Sequence, residues 1–157
     1  MGRSDAFSVR EATSADLLQL SVLFDGYRVF YQCGTDIDSA IIFLKQRLEN
    51  EESKIYVAES INGKLVGFVQ LYPVFSSTRM KKLWLLNDLF VLPEYRGHGI
   101  SKTLIEKAKG LCFSTDACGL ILETAKSNDI GNMLYPATGF SLDEEHNYYY
   151  WNNKAPI

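Results

Sequence analysis

The feature that most restricts this chain is a turn with two glycines set between a strand and a helix. Leu92-Pro93-Glu94-Tyr95-Arg96-Gly97-His98-Gly99-Ile100-Ser101 follows the apolar run Trp84 to Val91 and precedes the amphipathic run Ile100 to Leu111. Glycine lets a backbone turn sharply and approach a ligand closely. The first N–H groups of the following helix have no partner inside it, and the helix dipole favours negative charge there. The turn therefore has the chemistry of a phosphate or pyrophosphate cradle. It is neither a Gly-Lys-Ser/Thr nucleotide loop nor a GxGxxG turn.

Hydrophobic periodicity places the other elements. Phe7 to Arg10 alternates as a short strand, and Ser14 is positioned to cap a helix from Ala15 to Tyr31 with Leu17, Leu20, Leu23 and Phe24 on one face. Asp36 or Asp38 caps a second helix, Ser39 to Glu49. Ile55 to Ser60 and Lys64 to Phe75 read as strands joined at the hairpin signal Asn62-Gly63, with Gly67 as a candidate bulge. Leu83 to Val91 is a third strand, apolar on both faces at its end. After the glycine turn, Ile100, Leu104, Ile105, Ala108 and Leu111 form a helical stripe. Gly119 to Glu123 reads as a buried strand, Asp129 to Ala137 as a short helix, and Phe140 to Leu142 with Tyr148 to Trp151 as a closing strand pair. The order β-α-α-β-β-β-α-β-α-β-β predicts an α/β fold in one domain, core about 7–151, with a mixed, mostly antiparallel sheet and flanking helices.

A net charge of −3 argues against nucleic acid as the main partner. No stretch reaches the ~18 apolar residues of a membrane span. The N-terminus lacks the apolar region of a secretory signal, and the three cysteines (Cys33, Cys112, Cys118) have no CxxC spacing. These features predict a cytoplasmic protein with idle thiols. No His/Cys/Asp/Glu set has metal-ligand spacing, so no metal is expected.

Three motifs occur in order. Arg96-Gly97-His98-Gly99-Ile100-Ser101 fits [QR]-x-x-G-x-[GA] with Ser101 in the last place. Asn128, Gly131, Leu134, Tyr135, Gly139 and Phe140 fit N-x-x-A-x-x-L-Y-x-x-x-G-F with Gly131 for Ala. The strand end Asn87-Asp88-Leu89-Phe90-Val91 directly precedes the glycine turn. Together they resemble the GNAT superfamily of acyl-CoA-dependent N-acetyltransferases over nearly the whole chain. Strand and turn are most similar to small diamine or polyamine acetyltransferases and related bacterial amine acetyltransferases.

The resemblance implies acetyl-CoA as co-substrate. The pantetheine arm would lie where two parallel strands, ending near Val91 and Glu123, splay. Backbone groups of Leu89, Phe90 and Val91 would pair with it. The turn Arg96, Gly97, His98, Gly99, Ile100 and Ser101 would hold the pyrophosphate, with Arg96 adding charge, and Asn128 would bond the cofactor or cap its own turn. A primary amine of a small molecule, such as a polyamine or amino acid, would attack the thioester directly through a tetrahedral intermediate.

Such an attack needs a neutral amine, a proton acceptor and an acid for the leaving thiolate. The resemblance assigns Tyr135 as acid and cofactor contact, with Pro136 directly behind it as a possible helix terminator. Diamine acetyltransferases tend to place Glu-Asp where this chain has Asn87-Asp88. Asn87 cannot take a proton, which leaves Asp88, Glu123, a water relay, or an amine that arrives deprotonated. In a regular strand Asp88 would face away from Asn87. Tyr27, Tyr31, Asn87 and Glu123 are the candidate acceptor-binding residues; Asp25, Asp36 and Asp38 lie in the region that commonly shapes the acceptor pocket. A homodimer is expected from the resemblance. Acetylation of a protein N-terminus or lysine, or a CoA-binding module without turnover, are the alternatives.

Overall fold

Five strands with dense β-branched and aromatic content pair into one mixed sheet in sequential order. In the computed structural model, which describes residues 6–154, they are β1 (Phe7–Glu11), β2 (Lys54–Ser60), β3 (Leu65–Ser76), β4 (Lys81–Val91) and β5 (Leu120–Ile121). The first three pairings are antiparallel and β4–β5 is parallel. The helices are α1 (Leu17–Phe30), α2 (Ile37–Glu49), α3 (Ile100–Ser114) and α4 (Asp129–Ala137). The chain divides into two compact units at Glu123/Thr124.

In the first unit, β3 is buried at every position from Leu65 to Leu71, as a strand covered on both faces must be. Leu20, Leu23 and Phe24 of α1 and Ala40 and Leu44 of α2 pack with Val57 and Phe68 of the sheet in one cluster. The neighbouring position Gly67 faces the other way, where a Cβ would meet Ile100 of α3 at 3.4 Å. There Ile100, Leu104, Ile105, Ala108 and Leu111 are buried, the full stripe expected from the sequence. Burial of each such Leu or Ile is worth about 1.5–3 kcal/mol.

Element ends differ from expectation for local reasons. Ser14 does not cap α1. It lies inside a short 3-10 turn, Ser14–Asp16, where the Asp16 carboxylate accepts from the Thr13 N–H at 2.8 Å. Arg10 donates to both Asp16 oxygens and holds that carboxyl below the usual range. Asp36, not Asp38, caps α2 by accepting from Ser39 N. At the hairpin only Gly63 has positive φ; Gly63 N donates to Ser60 O and Ser60 N to Lys64 O, a three-residue loop rather than a two-residue turn. The β2–β3 register shifts next to Gly67, with Ala58 opposite Gly67 and Glu59 opposite Leu65.

The strand Gly119 to Glu123 shrinks to Leu120–Ile121. The closing strand pair does not form: residues 138–154 contain no strand, and Leu142 and Tyr148 to Trp151 are 77–85 % exposed. β-propensity reports fitness for a half-buried pleated surface, and without a partner ladder it does not make a strand. An Asp143 carboxylate that accepts from Glu145 N and His146 N organises the turn between the two segments.

Candidate active site

The end of β4 is shaped by a bulge the sequence did not reveal. Gln70 pairs with Asp88 and Leu71 with Leu86, so Asn87 is an extra residue without a partner on β3. One inserted residue reverses which edge each later backbone group faces. Before the bulge, Trp84 N–H donates to Gly119 O beside β5; after it, Leu92 N–H donates to Val66 O on β3. By alternation, the backbone groups of Leu89 and Val91 turn to the β5 side. There β5 pairs with β4 only at Trp84–Leu120 and Leu85–Ile121. The two parallel strands thus separate beyond Leu85, leaving a strand edge that an extended amide chain can join.

The glycine turn follows at once. Pro93–Tyr95 forms one 3-10 turn, and Gly97 (φ 80°) and Gly99 (φ 81°) are left-handed, with open space where a Cβ would sit. A side chain at either would strain the backbone. Gly99 is the N-cap of α3 and supplies no side-chain cap. Among the described residues, the N–H groups of Gly97 to Lys102 have no hydrogen-bond partner. Six free donors at a helix N-terminus suit a pyrophosphate in number and sign.

Arg96 is also a structural clamp. Its Nε donates to Val91 O at 2.9 Å, and its guanidinium lies 5.6 Å from the ring centres of both Phe30 and Phe90. It thereby ties the end of α1 to the end of β4. His98 Nδ1 lies 3.1 Å from Tyr95 O, its side chain exposed.

At the bulge, Asp88 is 2 % exposed and Gln70 is 0 % exposed. Gln70 Nε2 donates to Asp88 Oδ2 at 2.5 Å, Asn87 Nδ2 donates to Asp88 Oδ1 at 2.8 Å, and Ser53 Oγ donates to Gln70 Oε1 at 2.8 Å. Contact between the Asn87 and Asp88 side chains departs from the opposite facing expected of a regular strand, because the bulge breaks the alternation. Burial pushes the Asp88 carboxyl up against the opposing effect of hydrogen bonds from Gln70, Asn87 and Tyr27. The Tyr27 hydroxyl donates to Asn87 O at 3.1 Å, and the rings of Tyr27 and Tyr31 meet edge-on at 5.0 Å. Three of the four expected acceptor residues, Tyr27, Tyr31 and Asn87, are therefore brought together. Glu123 lies two residues past Ile121, the last β5 residue paired with β4.

Two of the acidic residues near α1 are engaged structurally. Asp25 accepts from Thr35 Oγ1 and Asp36 N, and Asp36 caps α2. Gln70 and Ser53 were missed. The available signal was a lone amide inside the apolar run Val66 to Leu71.

In the second unit, Asn128 caps α4 by accepting from Gly131 N and donates to Thr124 Oγ1. A Cβ at Gly131 would meet Asn128 Nδ2 at 2.6 Å, which explains glycine there. Pro136 does not cut the helix at Tyr135; α4 continues to Ala137. Gly139 (φ 93°) ends it: Phe140 N donates to Tyr135 O, Gly139 N donates to Pro136 O, and the Tyr135 and Phe140 rings meet at 5.7 Å. This is a Schellman cap with its hydrophobic contact. The spacing Tyr135-x-x-x-Gly139-Phe140 thus has a structural cause of its own. Among the described residues no cluster of three His, Cys, Asp or Glu could hold a metal, and no helix is long and apolar enough to cross a membrane.

Comparison with known proteins agrees with this geometry. The acetyltransferase (GNAT) family matches residues 20–140. An uncharacterized N-acetyltransferase, YhfO, of Bacillus subtilis (strain 168) is 41 % identical over 148 residues, 94 % of this chain and 99 % of that protein. The crystal structure of a probable acetyltransferase is 34 % identical and superposes with TM-score 0.89, covering 95 % of this chain and 99 % of that one. The aminoglycoside N-acetyltransferase AAC(6')-Iy in complex with CoA shares the fold at 19 % identity, TM-score 0.80, with 98 % and 99 % covered. The chain belongs to the GNAT acetyltransferase family and is an acetyl-CoA-dependent N-acetyltransferase.

Proposed function

We propose that this enzyme acetylates a primary amine of a small molecule. The observation that carries the reading is a pair of adjacent backbone sets: the β4 edge at Leu89 and the Val91 N–H, the Val91 carbonyl being held by Arg96, and the free N–H groups of Gly97 to Lys102. The first would bind the amides of the pantetheine arm, with Phe90 between them, and the second the pyrophosphate. The His98, Ile100 and Ser101 positions contribute through backbone N–H groups, and Arg96, whose own N–H donates to Pro93 O, contributes through charge. Acetyl-CoA supplies the activated acetyl group: its C–S bond breaks as the new C–N bond forms.

A neutral amine nitrogen would attack beside Asn87, Tyr27 and Tyr31. Tyr135, assigned from its place in the Asn128–Phe140 motif, would donate its proton to the leaving sulfur, and Asn128 would support that segment. Asp88 has both oxygens engaged and is buried, which favours a positioning role and an amine that has already lost its proton. A small acceptor is supported by the aminoglycoside enzyme of the same fold. The reading takes the enzyme as cytoplasmic and homodimeric; sedimentation of the purified chain tests the dimer.

The deciding assay is thiol release from acetyl-CoA across a panel of small amines, with N-terminal peptides and lysine peptides alongside. Turnover restricted to peptides would replace the small-molecule acceptor with a protein one. A thermal shift with acetyl-CoA but no thiol release with any amine or peptide would leave a binding module.

A further inference from the structure

We infer that Asn87 binds the acceptor through its amide oxygen and selects amines that are neutral at working pH, the amide being oriented by the buried Gln70–Asp88 pair. The inference rests on the acetyl-transfer reading and names its substrate class.

The orientation follows from hydrogen-bond chemistry. An ionised carboxylate only accepts. Both Asp88 oxygens are occupied, one by Gln70 Nε2 and one by an Asn87 side-chain atom at 2.8 Å. With Asp88 ionised, that atom is the amide nitrogen. The Gln70 oxygen is in turn held by the Ser53 hydroxyl, so Gln70 cannot present its oxygen to Asp88 without breaking two bonds. Asn87 Oδ1 is left directed away from Asp88, with no partner among the described residues, on an exposed side chain. The bulge releases Asn87 from strand pairing, and the Tyr27 hydroxyl fixes its carbonyl from α1. Backbone and side chain are both immobilised around one free acceptor atom beside two tyrosine rings.

An amide oxygen accepts an N–H hydrogen bond but cannot take the proton, and it carries no charge to hold an ammonium. The Asp88 charge is out of reach at 2 % exposure. The other ionisable groups are Tyr27 and Tyr31 on α1, Tyr72 on β3, whose hydroxyl burial keeps neutral, and Glu123, two residues beyond the last β5 residue paired with β4. On this reading the amine loses its proton to solvent before binding; an ammonium held by Glu123 instead would show as equal use of strongly and weakly basic amines. An α-amino group has a pKa near 8 and a lysine-type alkylamine near 10.4, so at pH 7.5 their neutral fractions differ by about 200-fold.

The test uses alaninamide and n-butylamine as acceptors, with thiol release followed at pH 7.5. Wild type should favour alaninamide in kcat/KM by about 100-fold or more. Asn87→Ala should raise the alaninamide KM about tenfold, the loss of one hydrogen bond, with the acetyl-CoA KM unchanged. Asp88→Asn fits the same space and frees the Asn87 amide to turn over. It should raise the acceptor KM with kcat retained, a split that a loss of folding would not give. Equal use of the two amines by wild type, or an unchanged acceptor KM in Asn87→Ala, overturns the inference while the acetyl-transfer reading stands. A fall of 100-fold in kcat for Asp88→Asn would make Asp88 the base and also overturn it. Wild type that releases no thiol with either these or any other amine sinks both readings.

Discussion

Gly67→Ala should destabilise the fold and weaken acetyl-CoA binding together. Gly67 has no positive φ, so the cost is steric and not conformational. A Cβ there would meet Phe90 O at 3.0 Å, Val91 Cγ2 at 3.2 Å and Ile100 Cγ2 at 3.4 Å. Phe90 is paired with Phe68 and cannot retreat without opening the β3–β4 ladder. Overpacking of this kind costs about 1–3 kcal/mol. Replacing glycine returns about 0.4–1 kcal/mol by restricting the unfolded chain. The net is about 1–2 kcal/mol, or roughly 3–6 °C in Tm for a chain of this size. Because the displaced groups are the end of β4 and the start of α3, the acetyl-CoA KM should rise several-fold. Gly110→Ala is the matched control: its Cβ meets nothing within 4 Å on α3, and it should raise Tm by about 1–4 °C. Thermal melts of the two variants beside wild type, with KM for acetyl-CoA, decide the matter. A Gly67→Ala protein that melts at or above wild type would refute the steric reasoning.

Gly99→Glu puts a side chain at φ 81° and a negative charge among the free N–H groups, and should abolish the thermal shift given by acetyl-CoA; an unchanged shift would remove the phosphate site. Tyr135→Phe keeps the ring that packs on Phe140 and should lower kcat about 10²-fold or more with little change in acetyl-CoA KM; full turnover would mean that the tyrosine serves only the helix cap. Asp16 and Asp88 should respond to acid in opposite senses. The Asp16 carboxyl is lowered by Arg10, so its stabilisation is complete above the ordinary carboxylate pKa of 3.8 and is lost as pH falls through the lower folded value. The Asp88 carboxyl is raised, so its ionisation costs stability above that raised value, a cost relieved as pH falls toward 3.8. Asp88→Asn should therefore melt higher than wild type at pH 7, with the difference shrinking toward pH 4; a difference independent of pH would discount the buried charge.

Local patterns carried most of the fold. The stripe Ile100–Leu104–Ile105–Ala108–Leu111, the apolar strand Leu65–Leu71 and the two left-handed glycines of the turn follow from periodicity and from glycine's lack of a Cβ, which neighbouring residues alone express. The aromatic run Tyr148 to Trp151 misled for the complementary reason: a strand's existence depends on a partner that its own residues do not encode.

The turn Arg96 to Ser101 could thus be read as a phosphate cradle from the sequence by itself, and together with the strand end before it and the Asn128–Phe140 motif it gave the family and the co-substrate. Tertiary structure decided what stands beside it. The Asn87 bulge is a mismatch between β3 and β4, 17 residues apart at Gln70 and Asn87, and appears only when the two strands are in register. Ser53, Gln70, Asp88, Asn87 and Tyr27 come from four separate segments, and no spacing rule links them. Arg96 likewise reads as a phosphate ligand in its own motif, and as a clamp between Phe30 and Phe90 only once α1 and β4 have packed. Short-range chemistry is written along the chain, whereas the acceptor side of this site is made by contacts that exist only after the sheet has closed around them.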